Sequence, residues 1–141
     1  MECLALKITE EEPSWELEKK AYEGFLQHSV ETLGYDGDVS HFSFVYRNEG
    51  KLLGQLVGKS FYGGLHIKHL FLDRTMRGKG LGAALVKKAL ERGKELGCRF
   101  AYLETLSFQA LRFYEKLGFT LDYTREGYNR GVSMHYLHKK L

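Results

Sequence analysis

The chain has 141 residues, 43% of them hydrophobic, and this is enough for one ordinary core, so a single domain over residues 1–141 is expected. Its 21 Lys and Arg are interspersed with 18 Asp and Glu, a net +3 that describes a solvated surface and argues against a nucleic-acid partner. Cys3 and Cys98 are too few for a disulfide scaffold, and no stretch has the character of a signal peptide or membrane span, so a reduced, cytoplasmic protein is expected.

Cys3 to Ile8 alternates weakly and predicts a first strand, ending in the acidic Thr9 to Glu12. Ser14 can cap a helix that carries Leu17, Ala21 and Leu26 on one face and runs toward Leu33-Gly34, with Gly24 as a possible break. Tyr35 to Asp38 is a loop by its turn chemistry. From Ser40 the period becomes two. Phe42, Phe44 and Tyr46 share a face, Asn48-Glu49-Gly50 turns, Leu52 to Phe61 returns, and after Gly63-Gly64 a third strand runs from Leu65 to Leu72. Gly54 and Gly58 within the second of these suggest a bulge or a close backbone approach.

A helix follows, with Leu85, Val86, Ala89, Leu90, Gly93 and Leu96 at helical spacing and Gly97 as its stop. Arg99 to Glu104 predicts a short buried strand, completing a right-handed βαβ unit. Phe108 to Leu117 predicts a second amphipathic helix ended by Gly118. Thr120 to Tyr128 and Val132 to His138 form a closing hairpin around Asn129-Arg130-Gly131.

The junction between the third strand and the helix, Leu70 to Gly82, holds the strongest chemical signal. Gly78, Gly80 and Gly82 remove the Cβ atoms that would keep a ligand off the backbone, so free N–H groups at the helix start can converge on phosphate oxygens. Arg77 and Lys79 add cationic side chains at the same point, which suits a diphosphate. Gly78-x-Gly80-x-x-Ala83 formally fits the dinucleotide fingerprint, and Glu104 lies where that motif's ribose-binding acid would fall. In that fingerprint, however, the glycines follow the strand directly, whereas here Asp73 to Arg77 intervene. Gly80 rather than Ser or Thr after Lys79 argues against a phosphate loop of the Walker type.

The pattern Leu70-x-Leu72 followed by Arg77-x-x-Gly80-x-Gly82 resembles the acetyl-CoA site of the GNAT superfamily of N-acetyltransferases. A second stretch, Ser107-x-x-Ala110-x-x-x-Tyr114-x-Lys116-x-Gly118-Phe119, is similar to the family's Asn-x-x-Ala-x-x-x-Tyr-x-x-x-Gly-Phe helix, with Ser107 in the asparagine position. The order of predicted elements is that of the GNAT fold, so the resemblance covers essentially the whole chain. It implies an α+β (α/β) architecture, a mixed central sheet of about seven strands flanked by helices.

The resemblance also implies an acetyl-CoA-dependent N-acetyltransferase acting on a primary amine of a small molecule or peptide. Arg77, Gly78, Lys79, Gly80, Leu81 and Gly82 would bind the CoA pyrophosphate, with Ser107 and Ala110 beside the cofactor. Backbone N–H groups of Phe71 and Leu72 would meet the developing oxyanion, their side chains being core. Tyr114 would protonate the leaving thiolate.

His66 occupies a strand position at which family members often carry a side-chain base. Strand alternation predicts His66 and Lys68 on one face and Ile67 and His69 on the other, so Lys68 is the expected neighbour of the base. Acceptor contacts are expected from Tyr22, Phe25, His28 and Tyr35, with Tyr128 on the closing hairpin. His66 with His69, and His135 with His138, are three apart on strands and so project to opposite faces, and no metal site is expected. A non-catalytic acyl-CoA-binding module of the same fold is the alternative. Dimerisation is common in similar proteins, through an outer strand.

Overall fold

The computed structural model describes residues 5–141, which divide into two compact units, the first ending at residue 36 and the second running from 37 to 141. Of the predicted first strand, Cys3 and Leu4 lie outside the described residues, and Ala5 to Ile8 form no strand. The first unit is built on one helix, α1 (Trp15–Leu33). Ser14 caps it as expected, its hydroxyl oxygen accepting the Leu17 N–H at 3.2 Å, and Gly34 ends it at a φ of 65°. Gly24 does not break the helix. An isolated glycine costs a helix only about 1 kcal/mol against alanine, which the capped ends and 19-residue length absorb.

The second unit is a mixed sheet of six strands among the described residues, where about seven were expected. In chain order they are β1 (Ser40–Asn48), β2 (Lys51–Phe61), β3 (Gly64–Leu72), β4 (Phe100–Leu106), β5 (Thr120–Arg125) and β6 (Met134–Lys140), with spatial order β1-β2-β3-β4-β6-β5. Only β3 and β4 run parallel, joined by α2 (Leu81–Glu95), while α3 (Leu111–Lys116) follows β4. The tight turns at Glu49-Gly50 and Tyr62-Gly63 put both central residues at positive φ, the twist that two-residue hairpins need.

The core lies between one sheet face and the two helices. Leu56, Leu65, Ile67, Ala101, Leu103 and Leu137 meet Leu85, Val86 and Ala89 of α2 and Tyr114 of α3, all in one buried cluster. Each fully buried aliphatic side chain of this kind contributes about 1.5–3 kcal/mol. The predicted apolar stripe of α2 is buried at Leu85, Val86, Ala89 and Gly93, but Leu96 is exposed because the helix has already ended before it.

The main departure from simple alternation is a bulge in β3. Val57 pairs with His69 but the next residue, Gly58, pairs with Ile67, so Lys68 is an extra residue. Gly58 permits this approach. A Cβ at that position would lie 2.8 Å from the His66 carbonyl oxygen and 2.7 Å from Phe42 Cζ. The bulge shifts the period by one. Leu65 and Ile67 before it and Leu70 and Leu72 after it pack toward the core, while His69 pairs with Val57 and Phe71 with Gln55 on the face that carries His66. The expected division of His66 from His69 onto opposite faces is thereby corrected.

Candidate active site

β3 and β4 stay together over only three paired positions, Gly64 to His66 against Phe100 to Tyr102. Beyond them β3 is held by β2 as far as Leu72, and β4 by β6 as far as Leu106, so the two strands splay. The wedge between them opens a cavity of about 1110 Å³. It takes walls from both sides of the sheet: Ile67 and Thr105 from the helix-covered face, and Phe71, Gln55 and Glu104 from the other. Ala110, Phe113 and Tyr114 of the α3 segment and Arg77 of the glycine turn complete it.

At the end of β3, Asp73 fixes the turn by accepting the Thr75 N–H at 3.1 Å and the Thr75 hydroxyl at 2.5 Å. The hydroxyl bond first, and the N–H bond second, hold the Asp73 carboxyl below its ordinary range. Gly78 and Gly80 take φ values of 74° and 85°, and a Cβ on either would meet nothing within 4 Å, so the space beside them is open. Gly80 begins α2 with no side-chain cap, which leaves the first-turn N–H groups of a 15-residue helix free to bind an anion. The segment thus fits a pyrophosphate, with Arg77 at its edge. Gly82, whose N–H is in the first turn of α2, is also a packing residue. It is buried, and a Cβ there would press on Leu72 Cδ1 and Phe113 Cζ at 3.2 Å each, so its bare backbone serves packing. Leu81 likewise packs on the core, and Lys79 does not line the cavity.

Tyr114 is 6% exposed, its ring packed edge-on between Phe113 at 5.0 Å and Phe119 at 5.7 Å. Burial pushes its hydroxyl up to about 12. Tyr114 makes no side-chain hydrogen bond, and no fully buried polar side-chain atom among the described residues lacks a partner, so the hydroxyl opens to the cavity that Tyr114 lines. Thr105 holds the helix in place by accepting the Ala110 N–H at 3.3 Å. Ser107 is engaged elsewhere. Its N–H donates to the Ser133 carbonyl at 2.8 Å and its hydroxyl oxygen accepts the Ser133 N–H at 3.0 Å, tying the loop before α3 to the chain entering β6.

Phe71 and Leu72 both line the cavity, but Phe71 is 52% exposed rather than core, because the bulge turns it away from the core onto the face that carries His66. His66 is set back from the cavity wall. Its ring lies flat on Tyr102, 4.6 Å between centroids and 9° between planes, and its Nε2 is 2.8 Å from Glu104 Oε2. Glu104, not the expected Lys68, is therefore the charged group in contact with His66, and it is Glu104 that reaches the cavity. Burial and then the Glu104 charge raise the Tyr102 phenol. Tyr22, Phe25 and His28 lie on α1 and Tyr35 follows it, all within the first unit. Glu104 and Thr105 carried a legible signal: in Ala101-Tyr102-Leu103-Glu104-Thr105 the period of two gives one face to the core and presents Tyr102 and Glu104 together on the other. Among the described residues no group of three or more His, Cys, Asp or Glu is arranged to hold a metal ion, and no helix is long and apolar enough to cross a membrane.

A parallel pair splayed open ahead of a glycine turn, with a tyrosine-bearing helix closing one wall, is the architecture of acyl-CoA-dependent transferases. The chain belongs to the acetyltransferase (GNAT) family, whose model matches residues 6–119. Acetyltransferase Atu2258 of Agrobacterium fabrum strain C58 is 31% identical over 126 residues, 89% of this chain and 91% of that protein. Blasticidin-S acetyltransferase of Streptomyces morookaense is 39% identical over 93 residues, 65% of this chain and 68% of the relative. A crystal structure from Agrobacterium tumefaciens matches with a TM-score of 0.86 at 28% identity, covering 97% of this chain and 100% of that one.

Proposed function

We propose that this protein transfers the acetyl group of acetyl-CoA to a primary amine by direct attack. The observation that carries the reading is the wedge between β3 and β4, open on both sides of the sheet, with the uncapped start of α2 beside it. The pyrophosphate would lie on the N–H groups after Gly78 and Gly80, with Arg77 balancing its charge. The thioester carbonyl would then reach the splayed end of β3, where N–H groups of Phe71 and Leu72 stabilise the oxyanion as the amine nitrogen attacks. As the C–S bond breaks, the Tyr114 hydroxyl donates to the sulfur. A small molecule is the favoured acceptor, a reading supported by the relative that is named for acetylating blasticidin-S.

The test begins with thermal melting in acetyl-CoA, CoA and NAD at equal concentration. A ligand at about 100 times its Kd adds about 2.7 kcal/mol, so acetyl-CoA and CoA raise Tm and NAD does not. Arg77→Glu places a negative charge in the cavity wall at an ordinary φ of −68°, and is expected to abolish the shift without strain in the turn. Thiol release from acetyl-CoA with a panel of primary amines then reads turnover. A shift with NAD alone would refute the proposal, and acetyl-CoA binding with no turnover on any amine would favour a non-catalytic acyl-CoA-binding module.

A further inference from the structure

Among the described residues, Glu104 is the one acidic side chain in the cavity wall, with basic neighbours Lys68, His69 and Arg77. Positive groups in that wall are explained by a polyanionic cofactor. A carboxylate is not, since it would repel the same ligand. Its position is also specific. It lies on the sheet face opposite the two helices and Tyr114, so it meets what enters the wedge from the other side.

We infer that Glu104 is the acceptor subsite: its carboxylate binds the ammonium form of the incoming amine and is the base that deprotonates it. This deepens the acetyl-transfer reading and rests on it. A carboxylate has no hydrogen to share, so the hydrogen between Glu104 Oε2 and His66 Nε2 is the imidazole's, and His66 is the donor. Nε2 then has no free lone pair for an amine, whereas Oε1 of Glu104 carries no hydrogen bond from the protein. His66, clamped flat on Tyr102, is a positioning residue that holds the carboxylate at the wedge.

The step balances without further reagents. One N–H bond of the ammonium breaks and an O–H bond forms at Oε1. The freed nitrogen lone pair attacks the thioester carbonyl and leaves the nitrogen of the adduct cationic. As the C–S bond breaks, the second N–H bond breaks too and that proton passes to the departing sulfur, which Tyr114 steadies by a hydrogen bond, so the products are the amide, the free thiol and protonated Glu104. The positive charge of the amine is lost as the carboxylate is neutralised. The groups that face the Glu104–His66 pair are Lys59 of β2, Lys68 and His69 of β3, Tyr102 of β4, and Tyr136 and His138 of β6.

The probe is 1,4-diaminobutane, with 1,4-butanediol as its uncharged counterpart, titrated into the CoA-bound protein by calorimetry and assayed for thiol release at saturating acetyl-CoA. The wild type is expected to prefer diamine to diol by at least tenfold. Glu104→Gln keeps an acceptor for His66 and the size of the side chain, yet loses the preference, raises KM and lowers kcat by about 100-fold. Its turnover recovers as pH approaches the amine's own pKa, because free amine needs no base. His66→Ala lowers kcat about tenfold, and His66→Gln, which restores a donor near the Nε2 position, recovers most of it. Acetyl-CoA shifts the Tm of all three variants at least as much as that of the wild type. The inference is overturned if Glu104→Gln keeps the diamine preference and pH profile, or if the wild type binds acetyl-CoA but does not prefer the diamine. Failure of acetyl-CoA to shift the wild-type Tm would overturn the acetyl-transfer reading beneath it.

Discussion

Tyr114→Phe removes one oxygen from a ring whose packing against Phe113 and Phe119 stays intact. Because that oxygen has no protein hydrogen bond to lose, stability is expected to change by less than about 1 kcal/mol. Catalysis is different. With the phenol at about 12, only about one hydroxyl in 10⁴ is ionised at pH 8, so the donor is always loaded. The same shift limits it as an acid, since a thiol near 8.5 is much the stronger acid and complete proton transfer would be uphill by about 5 kcal/mol. The hydroxyl therefore acts chiefly as a hydrogen-bond donor to the departing sulfur, and a bond to a charged group of this kind is worth about 1.5–3 kcal/mol. That converts to a loss of roughly 10- to 150-fold in the rate of acyl transfer. Single-turnover thiol release at saturating acetyl-CoA and amine measures it without interference from product release. A rate within threefold of wild type would refute the assignment of Tyr114, and a loss beyond about 10³-fold would refute the hydrogen-bond account in favour of full proton transfer.

Two further outcomes follow from geometry and ionisation. Gly58→Ala sets a Cβ 2.8 Å from the His66 carbonyl, a backbone atom that cannot rotate away, so denaturant unfolding should register a loss of about 1–3 kcal/mol and acetyl transfer should fall as the end of β3 is displaced. In alkali, Tyr114 ionises near pH 10 when unfolded but near 12 when folded, so stability is retained below pH 10 and declines between the two, by about 2–3 kcal/mol in total. Unfolding curves from pH 9 to 12 read this directly, and Tyr114→Phe should remove that share of the decline.

Much of the fold is written in local pattern. The hairpins follow from alternation and turn glycines, α2 from its apolar spacing, and the capped start of α1 from Ser14. The bulge was legible only as a hint at Gly58. Alternation counts residues along one strand, whereas the extra residue at Lys68 is set by how β2 lies against β3. That single slip misplaced His69 and Phe71. Spacing could not show that Gly82, beyond its place in the first turn of α2, also admits Leu72 and Phe113 against its backbone. Lys68 was named as the partner of His66 from its place two residues along, while the actual partner is 38 residues away on the neighbouring strand.

The order β4-β6-β5 has a consequence for how the chain is made. β5 touches the sheet only through β6, which follows it in sequence, so β5 emerges from a ribosome with no native edge to join. Until β6 arrives, β4 also presents a bare edge, and a parallel pairing of β4 with β5 across α3 is a ready wrong turn. Insertion of β6 displaces that pairing and brings Ser133 to Ser107, so the loop leading to the tyrosine-bearing helix is locked last. The cavity is thus completed late in folding, and a nascent chain holding every residue up to Arg125 still lacks the strand that ties down one of its walls.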